Sequence, residues 1–446
     1  MRRIFLYTLL MTIMLVGGSL PLFALDYDLA SYLEKVETDN RDLELSRQRV
    51  ASALESIKQA RSALLPTIAL AGGYTRNFTD VEQSTAVGAD TSASPLGAVS
   101  PLIYQDADTN FDNEMTLAAS VSQKIVDPEA TARYAQARRN SLIQTNADDY
   151  TRKSILTAAK KLYAQTQLAF AVAQVREESA ETSKEVYDNI EKKYKAGVST
   201  ELDLRMAEVD WKNAVTQTAE ANKNAQLALM SLKTLAGIPQ EEDVHLIEKI
   251  DVLPELPEIP ELGGVLSSRS DYQAQLLSRD IADIAYKSAL ASYLPSISGS
   301  LTYAYGGYGN DSLNGDYDYT SVQLGVKISL PVFTGGYRQS LVESARIQKT
   351  NSAVEIMKSQ DKIEQELSSL HLQMEEARKR LDSAHALVEA SSRAASLART
   401  ALSSGLGTQL AVSQATSNLA QAQVGLQNAI YTYRALYYDW QLATGN

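Results

Sequence analysis

The side chains that most often carry chemistry are few and far apart. The only histidines are His245, His371 and His385, and there is no cysteine. That rules out a thiolate nucleophile, a disulfide framework, a Cys/His zinc site and a lipidated N-terminal cysteine. His371 and His385 lie fourteen residues apart in one helical stretch, which would separate them by about 21 Å, too far to share a ligand. The carboxylates alternate with Lys and Arg in the manner of solvated helix faces. No catalytic, cofactor-binding or metal-binding residue is therefore expected, and the chain is not expected to be an enzyme. A net charge of −12 also excludes nucleic acid, whose phosphates require a basic face.

What stands out is a pair of turns, Gly197 with Thr200 and Leu202, and Gly405 with Thr408 and Leu410, separated by 208 residues. Glycine can close a helix in the left-handed conformation, and Ser or Thr three residues later can cap the next one. The flanking sequence supplies those helices. After the first turn, small or apolar residues recur every three or four positions at Ala207, Trp211, Ala214, Thr218, Ala221, Ala225, Ala228, Leu232 and Leu235. Adding 208 gives a second seam running from Ala415 through Leu419, Ala422, Leu426, Ala429, Tyr433, Leu436 and Trp440 to Ala443. Before the turns, the series Ile155 to Tyr194 maps in the same way onto Ile363 to Leu402. A sustained 3.5-residue period means helices in coiled-coil contact, and the alanines imply close approach. Each half of this internal two-fold repeat is thus a hairpin of long helices, expected over residues 128–236 and 335–443. The first arm would measure roughly 100 Å.

Upstream of each hairpin the period changes to two. Ile297, Gly299, Leu301, Tyr303 and Tyr305 alternate with Ser and Thr, and Val322, Leu324, Val326, Ile328 and Leu330 form a matching run. Weaker copies occur at Ile68, Leu70, Gly72 and Tyr74 and at Met115, Leu117, Ala119 and Val121. Strands are predicted over about 66–78, 114–126, 295–308 and 318–332, each with one apolar face, as a transmembrane barrel needs. Pro66 and Pro295 end helices expected over 26–65 and 265–294. Tyr74, Tyr303, Tyr305, Tyr308, Tyr317 and Tyr319 would suit an aromatic girdle. Four strands cannot close a barrel, so a membrane location would require cyclic assembly.

The remaining segments divide the chain. Arg2 and Arg3 precede an apolar run and a small residue at Ala24, so residues 1–24 are expected to be a signal peptide. The first repeat occupies 25–250, a stiff Pro-rich linker 251–263, and the second repeat 264–446. The segment from Thr79 to Glu114 has seven acidic residues and no Lys or Arg, and reads as an exterior loop; the shorter loop from Gly309 to Tyr317 reads likewise.

Taken in order, Ala60-Arg61-Ser-Ala-Leu-Leu65-Pro66, Tyr293-Leu294-Pro295-Ser296-Ile297, Pro331-Val-Phe333-Thr-Gly335-Gly336, Arg269-Ser-Asp271 and the two Gly-x-x-Thr turns resemble the TolC-like outer-membrane efflux protein family. The resemblance spans nearly the whole chain. It implies a mixed α and β membrane protein, a homotrimer whose twelve-stranded barrel, four strands per protomer, sits in outer-membrane lipid and continues into a long periplasmic α-helical barrel. It implies an exit duct for an efflux pump or type I secretion system, with a periplasmic adaptor and an inner-membrane transporter as partners. The turn residues Gly197, Thr200, Leu202, Gly405, Thr408 and Leu410 become candidates for the inner tips where the adaptor docks. Where the family carries pore-facing acids after the second tip, this chain has Ala411 and Gln414. Asp203, in the first repeat, is left as the pore-gate charge candidate, a residue that a turn alone would not require and that in three copies would favour cations. The competing class is a non-conducting structural or adhesive coiled-coil protein of the envelope, which would keep the heptads and have no use for the strands.

Overall fold

The computed structural model describes residues 25–79, 82–89, 102–108, 111–247, 253–310 and 317–446. The expected signal peptide, the start of the linker and parts of both acidic loops lie outside these residues. In chain order the elements of the first half are β1 (Leu25–Tyr27), α1 (Leu29–Asp39), α2 (Arg41–Ser62), β2 (Thr67–Arg76), β3 (Glu82–Ala89), β4 (Leu102–Asp108), β5 (Asn113–Val126), α3 (Pro128–Lys195) and α4 (Glu201–Leu235). There follow β6 (Val244–Leu246), α5 (Leu262–Ser268), α6 (Ser270–Ala291), β7 (Ser296–Gly309), β8 (Tyr317–Ser329), α7 (Tyr337–Ser403) and α8 (Gln409–Ala443). The described residues form two compact units, one within 52–142 and 277–353, the other within 25–51, 143–276 and 354–446.

The first unit holds a four-stranded antiparallel sheet in the order β2-β5-β7-β8. Its register aligns the alternating side chains into rows, since successive residues point to opposite faces. Leu70, Ala119, Tyr303 and Val322 form one row and Ile68, Val121, Leu301 and Leu324 another. The opposite face carries Thr67, Ser122, Ser300 and Gly325, then Ala69, Ser120, Thr302 and Gln323. The apolar face is uncovered within the chain, with Leu70 79% and Leu324 81% exposed. Among the described residues, strands β2 and β8 each have only one partner and leave an unpaired edge.

The aromatic girdle is smaller than expected. Tyr74, Tyr303 and Tyr305 lie on the apolar face, but the pairing of Tyr308 with Tyr317 and of Tyr319 with Gly306 puts those three tyrosines on the other. There Tyr308 stacks on Tyr319 and meets Phe111 at 5.5 Å. Gly306 is needed because a Cβ would meet the Tyr319 ring at 2.2 Å. The expected loop from Thr79 to Glu114 also contains a hairpin, β3 with β4, bulged between Ala86 and Gly88. Its acidic composition hid the alternation.

The second unit is helical, and in it the helix expected over 26–65 begins. That helix is divided at Asn40, whose backbone is extended, with φ −69° and ψ 126°. The Asn40 carboxamide oxygen accepts from the backbone N–H groups of Asp42 and Leu43 at 3.0 Å, capping α2, and its amide donates to the Leu235 carbonyl at 2.8 Å. The helix expected over 265–294 is divided at Arg269, which is 6% exposed. Its guanidinium grips Asp271 at 2.8 and 3.1 Å, Glu366 at 2.8 Å and the Ala443 carbonyl at 3.1 Å. Two large apolar clusters and a smaller one complete the unit. Of the large ones, Tyr32, Val36, Tyr163 and Leu232 form one, with the Tyr32 hydroxyl on the Leu232 carbonyl. Leu367, Met374, Tyr433 and Trp440 form the other, with the Tyr433 hydroxyl holding the linker through the Pro254 carbonyl. The short parallel pair β1 with β6 had no signature in the sequence. Among the described residues no helix is long and apolar enough to cross a membrane.

Candidate functional site

The two helix turns are built alike. Gly197 and Gly405 have φ of 74° and 76°, and open space surrounds each, so backbone conformation alone requires glycine. Gly197 N–H donates to the Tyr194 carbonyl and Val198 N–H to that of Lys193, both at 2.9 Å, which is the Schellman pattern. Gly405 and Leu406 repeat it on Leu402 and Ala401. Thr200 then accepts from Asp203 N–H at 3.1 Å and Thr408 from Ala411 N–H at 3.3 Å, each starting the returning helix.

Asp203 has a local task beyond the one expected of it. Its carboxylate accepts from the Thr200 backbone N–H at 3.2 Å and from the Thr200 hydroxyl at 2.6 Å, closing a capping box. The Thr200 hydroxyl and backbone N–H hold the Asp203 carboxyl below its ordinary pKa. The turn therefore does use Asp203, contrary to the expectation that it would not. In the second turn the matching residue is Ala411, and the box is half made.

Leu202 and Leu410 do not pack as the apolar contacts of the turns, for within the chain they are 68% and 60% exposed. Val198 and Leu406, the residues after each glycine, are more exposed still. The sequence signal for these two was available, since an apolar residue commonly follows a Schellman glycine to pack back on the helix. Here neither does. Each turn thus presents two uncovered apolar side chains beside a rigid hydrogen-bonded bend.

Beyond the turns, the wall of helices changes character. A polar cavity of about 190 Å³ opens among α3, α4 and α8, lined by Arg176, Asp210, Gln217, Gln409, Ser413 and Thr416 among others. Ser413 donates to Asp210, and Arg176 donates to the Gln217 carboxamide at 2.9 Å. The buried oxygens of Gln409 and Thr416 find no protein partner. Farther along, Ala173, Ala221 and Ala225 close the seam by direct packing. Among the described residues no group of His, Cys, Asp or Glu is arranged to hold a metal.

The sequence profile of the outer membrane efflux protein family matches residues 32–238 and 262–438. Over 421 residues the chain is 23% identical to the outer membrane protein TolC of Vibrio cholerae, covering 90% of this chain and 86% of that one. It is 23% identical to the alkaline protease secretion protein AprF of Pseudomonas aeruginosa, covering 84% and 75%. Among solved structures it superposes on the CmeC outer membrane channel of Campylobacter jejuni with a TM-score of 0.77 at 18% identity, covering 94% of this chain and 85% of that one. The open MtrE outer membrane channel of Neisseria gonorrhoeae gives a TM-score of 0.76 at 18% identity, covering 94% and 89%. With a long profile match on either side of the linker, and a fold shared with these channels, the chain belongs to the outer membrane efflux protein family.

Proposed function

We propose that three copies of this chain close a twelve-stranded barrel in the outer membrane and form the exit duct of an efflux pump or type I secretion system. The observation that carries this is the sheet, whose apolar face is uncovered and whose edges, β2 and β8, are unpaired. In lipid an uncovered apolar face is favourable, while each unpaired edge group costs several kcal/mol. Joining β8 of one protomer to β2 of the next removes both edges. A non-conducting envelope protein would gain nothing from such a sheet.

The duct itself performs no bond chemistry, so what it exports is set by the proteins that dock on it. The uncovered apolar residues at the turns, Val198, Leu202, Leu406 and Leu410, support docking of a periplasmic adaptor there, with an inner-membrane transporter beyond it. Gly197, Thr200, Gly405 and Thr408 hold those residues in place. For Asp203 the hydrogen bonds support the capping role; a gate charge there rests on the resemblance alone. Membrane fractionation followed by planar-bilayer recording tests the whole. The expected result is an outer-membrane, detergent-extracted trimer that conducts. A soluble periplasmic monomer would defeat it.

A further inference from the structure

Between Arg399 and Arg434 the chain runs for 34 residues without Asp, Glu, Lys, Arg or His. The corresponding stretch of the first repeat, 192–225, holds eleven such residues. The charge-free stretch makes the second turn and most of α8. A helix that faces water in an acidic chain ordinarily carries charges on its wet face. On α8 the residues open to solvent include Leu410, Gln414, Asn418, Gln421, Gly425 and Asn428, which recur every three or four positions and so share one side. The Gln414 amide donates to Asn418 at 2.9 Å, and that of Asn428 to the Val424 carbonyl at 2.9 Å.

On the neighbouring helix α4 the charges are held in place without being removed. On α4, Arg205 lies between Glu201 at 3.6 Å and Glu208 at 2.9 Å, Asp203 is in its capping box, and Asp210 accepts from Ser413. Whichever side of α8 before Arg434 meets the passage, it brings dipoles and no net charge, while Asp203 and Asp210 keep theirs on α4. In a narrow passage with low-dielectric walls a fixed charge dominates which ions enter, so its absence from α8 is a property of the passage and not a neutral detail. Carboxamides donate and accept hydrogen bonds equally.

We propose that α8 lines the inner end of the duct with a charge-free, carboxamide-bearing wall, so that this helix itself favours neither sign of cargo charge. This rests on the duct assignment above and adds to it the kind of cargo the wall admits. The chain has no cysteine, so Gln414→Cys supplies a single thiol per chain in an otherwise unreactive trimer. The thiol is labelled with a methanethiosulfonate bearing a trimethylammonium group and with one bearing a sulfonate, while current is recorded across a planar bilayer. The expected result is a ratio of the two rates within about threefold of that for a small free thiol, with the two adducts shifting ion selectivity in opposite directions. In a second arm, Gln414→Asp confers cation preference and block by trivalent cations that the native protein lacks. A cationic reagent reacting more than about tenfold faster would show that carboxylates govern the site, and would overturn the proposal. Failure of both reagents to react would place Gln414 inside the wall, and would overturn the proposal as well. Absence of current in every form would instead defeat the duct assignment, and this inference with it, whereas the labelling ratio alone bears only on the wall.

Discussion

Removing the Asp203 carboxylate separates its capping task from any part in ion selection. In Asp203→Ala the Thr200 backbone N–H and hydroxyl lose an acceptor at 3.2 and 2.6 Å, and the first turn of α4 loses a negative charge near its N-terminus. Half a capping box plus a favourable interaction with the helix dipole amounts to about 1 kcal/mol at a solvated helix end. Local opening of residues 198–206 should then increase about fivefold. Asp203→Asn, which keeps an acceptor and loses the charge, should fall between. Hydrogen exchange read by mass spectrometry on the tip peptide measures this directly. The pH dependence has a fixed sign. Because the folded pKa is depressed, the stabilisation is fully present above the ordinary carboxylate range and disappears as pH falls through the folded value. Corrected for intrinsic exchange rates, tip protection in the native protein should decline below about pH 4 toward that of the Ala variant, whose own profile is shallower. Equal protection of native and Ala proteins at neutral pH would refute the reasoning.

The second turn yields a different contrast. Gly405 has positive φ and open space around it, so Gly405→Ala should cost about 1 kcal/mol and be tolerated, whereas a β-branched Gly405→Val should strain the turn and impair export. At Gly407 a Cβ would lie 2.9 Å from the Leu402 nitrogen, so Gly407→Ala should disturb the turn more than Gly405→Ala does, as seen by proteolysis at the tip. Arg269→Met leaves Asp271 and Glu366 without their cation; as both carboxylates are partly exposed, the loss should be about 2 kcal/mol, read as a lower melting temperature of the helical unit. An epitope inserted at Gly88, in the β3 hairpin, should bind antibody on intact cells, and one at Gly197 should not; the reverse pattern would invert the topology.

Much of this was written in the sequence as period. The change from two to three and a half residues separates strands from long helices, because each period follows from geometry that side chains cannot alter. The 208-residue offset located both turns, since glycine and a hydroxyl residue at fixed spacing have few other uses. What escaped depended on contacts between distant residues. Asn40 and Arg269 break helices by bonding partners far along the chain, at Leu235, Glu366 and Ala443. No local pattern reveals that. The β3 hairpin was hidden by its acidic composition, whereas the face of Tyr308, Tyr317 and Tyr319 was legible: Tyr308 is in step with Ser300 and Thr302, and Tyr317 and Tyr319 with Ser321 and Gln323. Asp203 was legible in principle: Thr-x-x-Asp is a weak form of the capping-box motif.

The central claim, closure of the barrel by three chains, is most directly tested across the two unpaired edges. The protein lacks cysteine, so Ala71→Cys in β2, combined in turn with a cysteine at Ser321, Gln323 or Gly325 of β8, introduces the only thiols. After oxidation in native outer membranes, at least one pair should give a covalent ladder that stops at three chains. No interchain bond for any pair, or a ladder that continues past three, would contradict the trimeric duct.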